Sequence, residues 1–147
     1  MSNGWFFYEP TIRGPYHADA EGLTEGDVLD LLRHVKPFLD TQGVLLASLD
    51  QDFTVGGSYS VKVNGQDFAL YTEDELNEVD DIWALTTRRC LGILNTLLQQ
   101  HQSEERAYLL YGGNDAHIVF LTPTMQDLIS RTRGVPPSEK PIGATMF

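Results

Sequence analysis

One cysteine, Cys90, stands in the 147 residues, so the chain has no internal disulfide and no cysteine-rich zinc site, and a reducing compartment is expected. Basic residues are scarce too: 10 Lys and Arg face 21 Asp and Glu, for a formal net charge of -11. Nucleic-acid phosphates and anionic lipid surfaces attract basic proteins, so this balance argues against both and favours a basic partner. No window holds 18 apolar residues in a row, and Met1-Ser2-Asn3-Gly4-Trp5 carries neither a cationic n-region nor an apolar h-region. Neither a spanning helix nor a signal peptide is expected, and the reading is cytoplasmic. The chain also lacks an internal repeat and a linker rich in Ser, Gly and Pro.

What remains is ordinary globular material: 41% of residues are apolar, before 13 glycines are added. The reading is one α+β domain over residues 1–134, a mainly antiparallel sheet with one long helix and two shorter ones, and a Pro-rich tail over 135–147. Trp5 to Ile12 is aromatic and β-branched and reads as a strand ending near Glu9, because Pro10 donates no ladder bond. Arg13 to Gly22 reads as a loop. Thr24 with Asp27 approximates a capping box, and Val28, Leu31, Leu32, Val35 and Leu39 then recur at helical spacing. Pro37 must end or kink that helix, and Gly43 is a natural stop.

Val44 to Leu49 reads as a strand and Asp50-Gln51-Asp52 as a loop. Tyr59 to Tyr71 is a hairpin about Asn64-Gly65, whose positive φ angles suit a type I′ turn. That register sets Lys62 opposite Asp67, with Tyr59 and Val61 facing Leu70 and Phe68. Thr72 and Glu75 form a capping box for a long helix from Glu73 to Gln102, which at 1.5 Å per residue would reach about 45 Å, so a bend near Gly92 is expected. The half beyond Leu91 carries the wider apolar stripe and should lie deeper. Ala107 to Leu121 is a second hairpin, apolar on both faces. Thr122-Pro123 starts a last short helix closed by Gly134 and Pro136, and Ile142 and Phe147 are candidates to strap down the tail.

Charge is unevenly distributed. Up to Asp81 there are 16 acids and 4 bases; from Ile82 onward, 5 and 6. Glu73, Asp74, Glu75, Glu78, Asp80 and Asp81 crowd six acids into nine residues. Acids in a first helical turn complement the dipole, but Asp80 and Asp81 lie beyond it, where i, i+3 and i+4 neighbours repel them. Apposed Lys and Arg of a partner would relieve that repulsion and speed association. Asp50 and Asp52 join this candidate partner-binding set. They resemble the start of a calcium loop, but Val55 and Val61 occupy the places of its glycine and its bidentate glutamate.

No motif names a reaction. His17, His34, His101 and His117 stand in no ligand spacing, and no metal or other cofactor is expected. Cys90 lies on the helix's apolar stripe, where a thiol is normally a small hydrophobe. The reading is therefore a non-catalytic acidic protein that sequesters or inhibits a basic protein, in the manner of immunity proteins that neutralise toxins, a parallel of size and charge alone. Two alternatives stand beside it. One is a small enzyme or small-molecule binder near His117, Tyr111 and Asp115, with histidine as base and the carboxylate orienting it; a cavity around those groups would favour it. The other is a DNA mimic, which needs two rows of acids at phosphate-like spacing.

Overall fold

The computed structural model describes residues 12–111 and 115–144. The strand expected at Trp5 to Ile12, apart from Ile12 itself, and Phe147 lie outside these. The fold is α+β, with two antiparallel sheets of three strands among the described residues.

β1, Tyr16–Asp19, is a correction: the stretch read as a loop pairs antiparallel with the second hairpin, setting His17 opposite His117 and Asp19 opposite Asp115. Turn residues on both sides hid a strand of only four residues. Asp19 then caps a single helical turn, α1 at Ala20–Gly22, by accepting from the Gly22 N–H at 3.2 Å. The expected Thr24 and Asp27 box does not form. The chain passes instead through a wide π-type turn at Leu23–Asp27, where Gly26 takes φ 125° and Thr24 donates its hydroxyl back to Ala20. α2 at Val28–His34 follows, and Pro37 breaks the run as expected, near Val35, so that α3 covers Lys36–Thr41.

The next strand is displaced. Val44 to Ser48 has no ladder of its own, and β2 spans Leu49–Phe53, including the Asp50-Gln51-Asp52 read as a loop. β3 at Tyr59–Val63 and β4 at Gln66–Tyr71 form the expected hairpin, with Asn64 at φ 51° and Gly65 at φ 82°. Lys62 does oppose Asp67 and Val61 opposes Phe68, but a bulge after Tyr59 shifts its partner from Leu70 to Tyr71.

The long helix is broken well before Gly92. α4 runs Glu73–Glu78 and α5 runs Ile82–Gln100, separated by Val79 to Asp81. The break has an electrostatic cause. Asp80 and Asp81 inside one helix would repel their neighbours, and at the end of α4 they oppose its dipole. Before α5 they complement the dipole, and Asp81 caps it by accepting from the Ala84 N–H at 3.0 Å.

β5 at Arg106–Leu110 and β6 at Asp115–Leu121 bury both faces. Ala107, Leu109, Ile118 and Phe120 join the main core with α2, α3, α5 and the inner face of β2-β3-β4. Tyr108, Leu110, Val119 and Leu121 form a second core with Ile129 of α6, Pro123–Arg131, and with Val135. β6 is central; β5 is an edge strand, bridged at Leu109 by both backbone hydrogen bonds of Ile142, at 2.8 and 2.9 Å. Among the described residues no helix is long and apolar enough to cross a membrane.

Candidate functional site

The eight carboxylates singled out by their crowding are in different circumstances. Glu75 is engaged internally. Its carboxylate takes a two-pronged bond from Arg89 at 2.6 and 2.7 Å and a third from the Thr72 N–H at 3.0 Å, completing the expected capping box. The Arg89 guanidinium, then the Thr72 backbone, hold this carboxyl down at about 2. Asp81 is occupied as the α5 cap.

Asp50, Asp52, Glu73, Asp74, Glu78 and Asp80 are exposed, and none has a salt bridge among the described residues. The two groups are linked through Glu73, because α4 docks its start on the turn between β2 and β3. The Glu73 N–H donates to Ser58 Oγ at 2.9 Å, and the Glu73 carboxylate stands so close over Gly56 that a Cβ there would meet it at 2.3 Å. Gly57 in turn lies under Leu76. Val55, wholly exposed on the turn, and the partly exposed Leu76, which lies over Gly57, put apolar surface at this junction.

On the sheet, alternation turns Asp50 and Asp52 to the solvated face, opposite Lys62 and Ser60. An open hollow of about 340 Å³ is lined there by Asp50, Gln51, Asp52, Ser60, Lys62 and Asp67. Lys62 leans to Asp67 at 3.8 Å, so three carboxylates share one ammonium and the hollow is net negative.

A second acidic concavity escaped the reading of the sequence. About 310 Å³ is lined by His17, Ala18, Asp19, Leu23, Asp27, Asp30, Leu31 and His34. The Asp19 and Asp27 carboxylates converge over the Gly22 backbone, and the His34 ring packs edge-on against Tyr16 at 5.1 Å. Two signals could have found it: His17 and Asp19 alternate on a short strand, and Asp27, Asp30 and His34 fall on one helical face. Among the described residues no group of three or more His, Cys, Asp or Glu is placed to hold a metal ion.

Tyr111, His117 and Asp115 line neither concavity. The Tyr111 ring meets His117 edge-on at 5.6 Å, but its hydroxyl donates to Glu139 at 2.9 Å, and burial, then Glu139, push it up to about 12. Asp115 is largely exposed and lies 3.5 Å from Nε2 of His17, the histidine across the ladder. Desolvation, reinforced by His17, lowers the pKa of His117. Cys90 is fully buried and its thiol is pushed up to about 12, as for a packed hydrophobe. The chain matches no protein-family model, no curated protein and no solved structure.

Proposed function

We propose that this protein is a non-catalytic acidic binding module of the cytoplasm that sequesters or inhibits a basic protein, most closely in the manner of an immunity protein neutralising a toxin. The observation that carries this reading is the set of six exposed carboxylates that form no salt bridge among the described residues: Asp50 and Asp52 on β2, Glu73, Asp74 and Glu78 on α4, and Asp80 just after it. The helix dipoles offset part of the repulsion at Glu73, Asp74 and Asp80, but they do nothing for Asp50, Asp52 and Glu78. A partner's Lys and Arg would relieve the like-charge repulsion, steer encounter by one to three powers of ten in rate, and leave Val55 and Leu76 as apolar anchors inside a charged rim.

The test is capture from the native host with identification of any stoichiometric basic protein, followed by kinetics with that protein. Replacing Asp50, Asp52, Glu78 and Asp80 by lysine should slow association at least tenfold at low salt while a cooperative thermal transition remains. Glu75 and Asp81 are left intact because their carboxylates hold the fold. Unchanged association in the fourfold variant would make these acids ordinary solvated surface.

A further inference from the structure

Among the described residues the sheet β2-β3-β4 ends on β2, with no strand on its outer edge. The bonds from the Asn64 N–H to the Ser48 carbonyl at 2.8 Å and from the Thr54 N–H to the Ser58 carbonyl at 3.0 Å fix the phase of the β2 and β3 ladder. In that phase the backbone groups of Asp50 and Asp52 pair with Lys62 and Ser60. Those of Leu49, Gln51 and Phe53 therefore point away from β3, toward the side where the sheet has no neighbour among the described residues. Gln51 and Phe53 are exposed, so a row of backbone donors and acceptors faces solvent along β2.

Charge decides what this edge accepts. A second copy of the chain is refused: antiparallel pairing of two β2 strands about Gln51 sets Asp50 of each against Asp52 of the other, and like charges directly opposite destabilise a ladder. A segment with cations at alternate positions is favoured. With Gln51 in the hydrogen-bonded pair, the incoming residues opposite Asp50 and Asp52 occupy non-hydrogen-bonded pairs, where side chains stand closest. Lys62 leaves room for them, since it leans toward Asp67. On the other face the residue opposite Gln51 comes down beside the half-exposed Phe53 ring, stacked on Tyr59 at 4.2 Å, which suits a small apolar side chain. We propose that β2 takes an extended segment of the partner with the pattern basic, apolar, basic as a fourth strand of this sheet, the acids on its face selecting the charge and its backbone supplying the bonds. This rests on the cation-capturing reading above.

The probe is the peptide acetyl-Thr-Lys-Val-Lys-Thr-amide, titrated at low ionic strength into isotope-labelled full-length protein. Saturating peptide should slow amide hydrogen exchange at least tenfold at Leu49, Gln51 and Phe53. N-methylation of the peptide's valine should weaken binding at least fivefold, and the double substitution Asp50→Asn with Asp52→Asn at least tenfold. If the double substitution weakens binding but exchange at those three amides is unchanged and the N-methyl peptide binds equally well, strand addition is wrong while charge capture stands. If binding is absent, or indifferent to the double substitution, both ideas fail for this face.

Discussion

Glu75 ties the stability of its neighbourhood to pH. Its folded pKa, about 2, lies below the ordinary 4.5, so the unfolded chain binds the proton more tightly. The stabilisation is therefore complete above about pH 4.5 and lost as the pH falls toward 2. Glu75→Gln should lower stability at pH 7 by about 1 kcal/mol, the size of a lost cap with a partly exposed ion pair. Between pH 5 and 2 its unfolding midpoint should fall less than that of the parent, which denaturant titrations at stepped pH would show. The capping box was legible from Thr72 and Glu75 alone. Arg89 was not, because it meets Glu75 across fourteen positions and a helix break that periodicity does not reveal. The same blindness to long-range pairing missed His17, which the ladder brings to Asp115.

At the level of elements, the sequence gives types more readily than edges. The Asn64-Gly65 hairpin, α2 with its proline break, the last hairpin and α6 followed from turn chemistry and apolar period. β2 did not: Asp50 and Asp52 on its solvated face made a strand look like a loop, while the apolar run before it is held by a side chain. The Asn64 carboxamide accepts from the N–H groups of Ala47 and Ser48 at 2.7 and 3.2 Å and donates to the Leu45 carbonyl at 2.6 Å. Asn64 thus serves as turn residue and clamp together. Asn64→Ala should cost about 1 kcal/mol through the lost hydrogen bonds, whose exposed backbone partners water then takes up, and through strain at its positive φ. Amide exchange at Ala47 and Ser48 should rise selectively, whereas uniform acceleration along the chain would point to a global effect instead.

For the whole molecule, net charge sets the response to salt. With 21 acids against 10 bases, self-repulsion opposes compaction, and the exposed ion pairs, such as Arg33 with Asp30 and Lys36 with Asp40, contribute little each. At 0.15 M ionic strength charges beyond about 8 Å are screened. The thermal midpoint at pH 7 should therefore rise by a few degrees between 10 and 200 mM NaCl, a shift calorimetry would resolve; a fall would mean that internal pairs outweigh the repulsion.

α5 touches β4 of one sheet, β5 of the other and the helical turns that follow β1. Its buried stripe, Cys90, Leu91, Leu94, Leu97 and Leu98, comes from the nearly neutral part of the chain, yet through β4 it supports the sheet on whose edge strand Asp50 and Asp52 are mounted. The acidic stretch before Ile82 is not decoration alone, because Leu32, Phe38, Tyr59 and Leu70 from it close the main core onto that stripe. An excised acidic half would keep its exposed carboxylates but lose the column against which its own apolar side chains close.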